Sequence, residues 1–446
     1  MMTQSNLTFT ENHEIPEGYK KTEVGFIPEN WNVVPLMHIS EKIMVGIASS
    51  ATHAYRNKGI PLLRNQNIKS NKLDDDDIIY ISEEYEKGFF NKRLKEGDLL
   101  TARTGYPGTT CLVPKIFENA QSFTTLITRL KSDSENPIYL SYFINSEKGQ
   151  KFFTDNQIGG GQKNVNAATL KRFPVIVPPL NEQQKIATVL SDTDALISEL
   201  EKLIEKKQAI KTATMQQLLT GKTRLPEFAL REDGTPKAYK DSELGQIPED
   251  WSVMQLDQIC DVVDPHPSHR APPEVSNGIP FLGIGDFDTD GNIIKSKLRL
   301  VDKSIYDEHS KRYDLNKNLL GLGRVASIGK VIRLKNGMGK YTISPTLGIL
   351  QSNSIDTDFL YYFLQSNRVS EQFSKVMSGS TRSSVGMIVL RQLNIIVPST
   401  NESSCIGQLL KVIEDDIRSV SEKLNKLKDL KQGMMQELLT GRTRLV

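Results

Sequence analysis

The chain has 446 residues, with 56 Lys and Arg against 54 Asp and Glu, 38% hydrophobic and 25% charged residues, and a formal net charge of +2. That is the make-up of an ordinary soluble protein about three domains long, and a charge this close to balance is no argument for nucleic acid by itself. No run of about 18 apolar residues is present to span a membrane, the N-terminal stretch MMTQSNLTFTENHEIPEG lacks the apolar core of a signal peptide, and Cys111, Cys260 and Cys405 never form a CxxC pair, so reduced thiols in the cytoplasm are expected.

In chain order, short β-rich runs such as Asp77–Ile81, Phe173–Val177 and Lys330–Leu334 alternate with Gly, Pro and Asn turns. Helical patches fall near Ile138–Phe153 and Asp358–Phe373. A long amphipathic helix follows each globular stretch. Asn181 is a fitting N-cap for the first, with Gln184 three residues on. Its apolar positions are Ile186, Leu190, Ile197, Leu200 and Ile204, with Thr193 and Lys207 as interruptions and Leu196, Leu203 and Ile210 widening the stripe. In the second helix Ile406, Leu410, Ile413, Ile417, Val420, Leu424 and Leu427 keep an unbroken 4-3 spacing, the pattern of a coiled-coil seam. Gly221 and Gly441 follow Leu-Leu-Thr as C′ glycines. Each helix then covers about 37 residues, about 55 Å at 1.5 Å per residue.

The helices end on one phrase. MQQLLTGKTRL from Met215 and MQELLTGRTRL from Met435 share nine of eleven positions at an offset of 220 residues. The same offset carries Tyr19-Lys20, Gly25, Ile27-Pro28-Glu29 and Trp31 onto Tyr239-Lys240, Gly245, Ile247-Pro248-Glu249 and Trp251. It also carries Leu140, Tyr142 and Phe143 onto Leu360, Tyr362 and Phe363, and Asn181-Glu182 onto Asn401-Glu402. Gly59-Ile60-Pro61 meets Gly278-Ile279-Pro280 after a one-residue slip. The chain is a tandem duplication with a shared framework and diverged interiors.

The fold class expected is α/β: two mixed α/β domains in pseudo-two-fold tandem repeat, separated by two long antiparallel helices that form a coiled coil, with the domains at the ends of a rod. A hairpin folded within each helix, or a seam serving another protein, satisfies the same pattern. The repeated phrase would close each helix where it meets the start of the opposite half. Lys222, Arg224, Arg442 and Arg444 would favour the negative helix C-termini, or contact phosphates.

Several local patterns lead nowhere. Asp286-x-Asp288-x-Asp290-Gly291 begins a calcium loop, but its twelfth position is Lys297. Gly323 to Gly329-Lys330 is one residue too long for a P-loop, and Val331 stands where Ser or Thr would hold magnesium. His266 and His269 have no third ligand at metal spacing. Asp74 to Asp77 read as a solvated turn. No nucleophile triad, GxGxxG or methyltransferase tetrapeptide is found, so no chemistry and no metal are expected of this chain.

The order of motifs resembles the specificity (S, HsdS) subunit of type I restriction–modification enzymes. VPPLNEQQKI from Val177 and QLLTG from Gln217 resemble the opening and close of its central helix. GFIPENW from Gly25 and its copy at Gly245 resemble the start of each target-recognition domain. Gly97-Asp98-Leu99-Leu100, with Arg103 and Gly105, resembles a strand-turn motif inside it, and Gly379-Ser380-Thr381-Arg382 a loop near its end. The second copy departs at Ser399-Thr400 and Ser403-Ser404, and the first has Gly161-Gln162-Lys163-Asn164 in place of the Ser-Thr-Arg loop.

The resemblance implies target-recognition domains at 1–177 and 226–397, followed by spacer helices at 178–225 and 398–446. It implies a non-catalytic subunit whose domains each read one half of a split, asymmetric target in double-stranded DNA. The helices would act as a ruler, docking two modification (methyltransferase) subunits and, in the full enzyme, restriction subunits that are ATP-dependent translocase/nucleases. S-adenosylmethionine and ATP/Mg would bind those partners and not this chain. A protein-binding scaffold on a coiled-coil spacer is the alternative.

Base edges are read by forked or paired hydrogen bonds from exposed polar tips. The DNA-binding candidates in the first domain are Arg64, Asn65, Gln66, Arg103, Thr104, Tyr106, Gln162, Lys163 and Asn164. In the second they are His266, His269, Arg270, Arg324, Ser327, Ser380, Thr381 and Arg382. Arg103 and Arg324 would alternatively be structural, each paired with a carboxylate. Tyr142 and Tyr362 are read as core.

Overall fold

A computed structural model describes residues 15–131, 135–156, 164–266, 270–288, 291–294, 298–334, 339–377 and 384–445. The chain divides into two compact units. One takes residues 1–201 with 422–446, the other 202–421. Neither unit is a linear half, because each holds part of both long helices.

In the first unit, Tyr19–Thr22 and Gly25–Pro28 pair as an antiparallel hairpin that turns at Gly25, φ +104°. Asn32–Pro35 then pairs with Pro174–Val177, tying the start of the globular part to its end. Between them lie two small sheets. One is antiparallel and runs Thr110–Leu112, Leu99–Thr101, Leu126–Leu130, Ser40–Val45. The other places Gln121–Phe123 parallel to Ile60–Arg64, then Ile79–Ile81 and Tyr55–Arg56 antiparallel.

The helical patch expected at Ile138–Phe153 is two helices, Pro137–Asn145 and Glu147–Asp155. Ser146 separates them: extended, it ends the first and caps the second by accepting from the Gly149 amide. Trp31, Tyr139, Phe143, Phe153 and Phe173 fill the core behind them.

The second unit repeats this plan. Ser252–Gln255 pairs with Asn394–Val397, and Cys260–Val263, Leu347–Ser352, Leu319–Gly323 and Val331–Leu334 form the antiparallel sheet in equivalent order. Ile279–Leu282 pairs parallel with Thr342–Ile343 and antiparallel with Leu300–Val301. Here too the expected single helix is two, Thr357–Leu364 and Asn367–Met377.

The long helices span Leu180–Leu218 and Thr400–Leu438, 39 residues each and unbroken, which excludes a hairpin within either. Asn181 is not the N-cap. The helix starts one residue earlier, with the Glu182 and Gln183 amides on the Pro179 carbonyl. Gln183, not Gln184, anchors this end, accepting from the Asn136 amide and donating to the Pro178 carbonyl.

The pairing of the two helices is antiparallel. In the first unit Lys431 bonds Asp194 at 2.6 Å and Lys428 bonds Glu201 at 2.7 Å. In the second, Lys207 pairs with Asp416 and Lys211 with Glu414. Ile197, Val420 and Leu424 are buried along the seam, with Leu200, Ile204, Ile413, Ile417 and Leu427 half-buried. Ile186 and Leu190 enter the first unit's core beside Leu438 and Leu439, and Ile406 and Leu410 enter the second's beside Leu218 and Leu219. Leu196, Leu203 and Ile210 do not widen the seam; they are 46%, 38% and 47% exposed.

The repeated phrase has a definite place. Gly441 turns with φ +73° against Pro28 and Trp31, and Gly221 with φ +70° against Pro248 and Trp251. A Cβ on either would stand 2.4 Å from the proline ring, so glycine is needed for both conformation and space. Beside it, Trp31 Nε1 donates to Glu182 Oε2 at 3.1 Å, and Arg444 grips the same carboxylate at 3.1 and 2.8 Å.

In the second unit Trp251 Nε1 donates to Glu402 at 2.8 Å, and Arg224 grips it with two bonds of 2.6 Å. Each arginine at the end of one helix thus holds the glutamate at the start of the other. The expectation that Arg224 and Arg444 serve the helix C-termini or phosphates is corrected: buried carboxylates take them. Tyr142 and Tyr362 are buried as read. Their hydroxyls bond Asp194 at 2.6 Å and Glu414 at 2.9 Å, again tying each long helix to its domain.

Candidate nucleic-acid interface

In the first unit three candidate segments come together. Strand Ile60–Arg64 runs into the turn Asn65–Asn67, which Asn67 locks from inside: its Oδ1 accepts from the Arg64 amide at 2.9 Å, and its Nδ2 reaches the Asp74 and Asp76 carbonyls. Asn65 bridges outward, its Oδ1 taking the Arg103 amide at 2.8 Å and its Nδ2 reaching Thr124 at 3.2 Å. Arg103, Thr104 and Tyr106 lie on the turn between strands Leu99–Thr101 and Thr110–Leu112. The Arg103 carbonyl accepts from the Val165 amide at 3.1 Å, which brings Asn164 to the same turn.

The residues present different chemistry. Tyr106 is 81% exposed. Arg64 and Gln66 both donate to exposed Asp77, at 2.9 and 3.0 Å, a weak and exchangeable pairing. Asn65 has both amide ends engaged and acts as a brace for Arg103. Arg103 Nε and Asn164 Oδ1 are buried without a hydrogen-bond partner among the described residues, so no carboxylate pairs with Arg103. Gln162 and Lys163 lie outside the described residues.

The equivalent turn of the second unit joins strands Leu319–Gly323 and Val331–Leu334, and there the arginine is spent. Arg324 is 9% exposed, its Nε on the Val385 carbonyl at 3.1 Å and its Nη1 on Asp264 at 3.4 Å. This is the structural alternative, and it removes Arg324 from the exposed tips. Ser327 is half-buried, its amide on the Val325 carbonyl. Lys330, the P-loop-like lysine, gives its ammonium to the Ile284 and Phe287 carbonyls at 3.3 and 2.6 Å.

His266 is also corrected. It is 5% exposed, its ring edge-on to Phe281 and 4.7 Å from the His309 ring, with Nε2 2.5 Å from the Arg270 carbonyl. Burial, and then the neighbouring His266, hold His309 below the usual histidine range. Arg270 is exposed. His269, Ser380, Thr381 and Arg382 lie outside the described residues.

One counterpart escaped the sequence reading. Gly283 and Asp286 repeat the lock of Arg64 and Asn67, with the Gly283 amide on Asp286 Oδ2 at 2.7 Å. Ile284 and Gly285 therefore stand where Asn65 and Gln66 stand. Extending the slipped Gly-Ile-Pro alignment by a few residues locates them; they drew no notice because neither carries a polar side chain.

Cys111, Cys260 and Cys405 are free thiols, and burial pushes the first two up to about 12. Among the described residues, Asp74, Asp75 and Asp76 are the group of acids close enough to share a cation, and two of them are exposed. No described helix is long and apolar enough to cross a membrane.

Two α/β units that offer differing polar turns on one frame, each clasping both long helices, make a protein with two recognition heads. Residues 28–212 and 248–429 each match the family of the type I restriction modification DNA specificity domain. The chain belongs to that family, with two such domains in tandem.

A protein of Methanocaldococcus jannaschii provisionally named the specificity subunit of type I restriction enzyme MjaX is 28% identical, over 96% of this chain and 97% of its own. The MjaVIII specificity subunit of the same organism is 25% identical over 71% of this chain and 74% of its own. The crystal structure of the type I restriction–modification S subunit from M. genitalium is similar in fold, with a TM-score of 0.58 at 13% identity over 92% of this chain and 96% of that one.

Proposed function

We propose that the two domains read the two halves of a bipartite, asymmetric target in double-stranded DNA, and that the long helices fix the spacing between the halves. The helices also dock two methyltransferase subunits and, in a complete enzyme, restriction subunits. The chain itself carries no catalytic step and works in the cytoplasm. S-adenosylmethionine and ATP with magnesium are used on the partner subunits. Base readout falls to Arg64, Gln66, Arg103, Thr104, Tyr106 and Asn164 in the first domain, with Gln162 and Lys163, and to Arg270 in the second, with His269, Ser380, Thr381 and Arg382.

One observation carries this reading: the turn that bears Arg103 in one unit bears Arg324 in the other, on the same frame, but Val385 and Asp264 hold Arg324 while Arg103 Nε has no hydrogen-bond partner among the described residues. Identical readers would fit a palindrome, and these two turns are not identical. The membership in a DNA specificity family sets aside the protein-binding scaffold.

The test is to express the chain with its methyltransferase partner in a host without adenine methylation and map every modified adenine. A split, asymmetric motif with one fixed gap is expected, and exchange of residues 26–176 for another recognition domain should change one half only. Co-purification of the two proteins without any methylated adenine would sink the reading.

A further inference from the structure

The two units hold the backbone of the turn arginine in different ways. Gln121 pairs with Leu62 in the first unit as Thr342 pairs with Phe281 in the second, so Thr124 and Thr125 correspond to Pro345 and Thr346. In the second unit the Arg324 amide donates to the Thr346 carbonyl at 2.9 Å, one stretch of backbone on another. In the first unit the Thr125 carbonyl takes the Gly46 amide instead. The Arg103 amide turns to a side chain and donates to Asn65 Oδ1 at 2.8 Å.

This brace has an anchor of its own. Asn65 Nδ2 donates to Thr124 Oγ1 at 3.2 Å, and the Thr124 amide donates to the Ile47 carbonyl at 2.9 Å. Thr124 is the β-branched residue that takes a left-handed backbone among the described residues, with φ +53°. A branched side chain crowds that conformation, which persists only where its surroundings enforce it. The second unit has neither part. Ile284 stands for Asn65, and Pro345, whose ring holds φ negative, stands for Thr124. Brace and strain therefore occur together, in the unit whose arginine no carboxylate takes.

Arg103 is half-buried and offers donors only. Its Nε has no hydrogen-bond partner among the described residues, and neither has Asn164 Oδ1 on the adjoining segment. A cation withdrawn from water without an acceptor is unfavourable until a ligand supplies one. Guanine presents two acceptors, N7 and O6, to an arginine in the major groove. A phosphate also accepts, but such a contact carries no sequence information and calls for no strained support. Readout of a base needs the side chain held on a fixed turn by hydrogen bonds behind it.

We propose that Asn65 and Thr124 are positioning residues, which aim the Arg103 turn so that its guanidinium meets a guanine in the first half-target. This assignment rests on the reading that the first domain recognises one half of a split DNA target.

The full chain, co-expressed with its methyltransferase partner in a host without adenine methylation, provides the test, with every modified adenine mapped. Arg103→Ala should relax one G·C pair of the first half. Asn65→Ala should relax the same pair and no other, with about tenfold loss of discrimination. Thr124→Val, which removes the hydroxyl and keeps the shape, should do likewise, while Thr124→Ser should read as wild type. Asn65→Ala combined with Arg103→Ala should relax the pair no further than Arg103→Ala alone. Thr124→Gly removes the strain along with the hydroxyl, so it should relax the pair without lowering the melting temperature. The bases of the second half should stay fixed throughout, which reports that each variant folds and assembles.

If Arg103→Ala relaxes a pair that Asn65→Ala and Thr124→Val leave intact, the two residues do not aim the arginine and the proposal is overturned. If all three lower methylation of every site alike, Arg103 holds a phosphate. If the relaxed pair is A·T, the assignment to guanine is wrong. A wild type that methylates no adenine defeats the functional reading itself, and the positioning role goes with it.

Discussion

Trp31, Glu182 and Arg444 in one unit and Trp251, Glu402 and Arg224 in the other make the same clasp, with bonds of 2.8 to 3.1 Å in the first and 2.6 to 2.8 Å in the second. Arg103 and Arg324 occupy the same turn of the same sheet, and there the likeness stops. Asn65 braces the backbone of Arg103, whose guanidinium has no carboxylate among the described residues, whereas Asp264 and Val385 take Arg324 into the interior. After duplication each clasp had to go on holding the start of one helix to the end of the other. The turns do not join the two long helices, so their side chains were free to diverge. Substitutions in the frame should therefore act alike in both units, and substitutions in the turns should act in one.

The largest effect is expected at the clasp. Glu402→Ala takes from Arg224, 6% exposed, its more buried partner, leaves it Asp250 at 2.9 Å, and should cost about 3 kcal/mol by calorimetry of the isolated chain. Glu182→Ala should act in the same direction but less, because Arg444 is 30% exposed and water can replace the carboxylate. Equal losses would show that burial does not set the strength of the clasp.

Next come the C′ glycines. Gly221→Ala and Gly441→Ala should each cost about 2–3 kcal/mol, from the left-handed backbone and the overlap with a proline ring. Here the two units should agree, and a large effect in one alone would break the idea of a common frame.

The turns should part company. Arg103→Ala should leave the melting temperature nearly unchanged and relax one base position of the first half-target, about 1–3 kcal/mol of discrimination read as altered methylation sites. Arg324→Ala should lower the melting temperature and leave the preferred bases as they are. If both variants altered bases without loss of stability, the distinction drawn from Asp264 would be wrong.

Much of the frame was legible in the sequence, because a duplicated chain shows its own constraints. The two tryptophans, Asn-Glu at each helix start and the closing phrases all keep one offset, and all of them meet in the clasp. That Glu182 meets Arg444 was not legible, since an offset aligns copies and does not say which residues touch. The helix splits at Ser146 escaped because the apolar spacing continues across the break, while capping of the Gly149 amide decides it. The reading turns were the least legible. Exposed arginine, asparagine and histidine look alike in a sequence, and only long-range partners such as Asp264 for Arg324, or His309 for His266, tell a brace from a reader.

The smallest effect separates the units by pH. Asp194 and Glu414 are repeat partners, and each joins a tyrosine to a lysine on the other helix. Glu414 also takes Arg333 at 2.8 Å and is 16% exposed, against 33% for Asp194. Burial raises the Glu414 carboxyl, but Lys211 and Arg333 outweigh it and hold the group below the usual glutamate range. A carboxyl depressed on folding stabilises the fold fully above its unfolded value, and that contribution is lost as pH falls through the folded value. Acidification from pH 7 should thus leave the contribution intact to about 4.5 and remove it below. Glu414→Gln should lower the melting temperature at pH 7 yet flatten its fall on acidification below the usual carboxylate range, since the group that titrates is gone. An unchanged slope in that variant would mean that other carboxylates carry the acid sensitivity, and that the extra cation of the second unit does not distinguish it from the first.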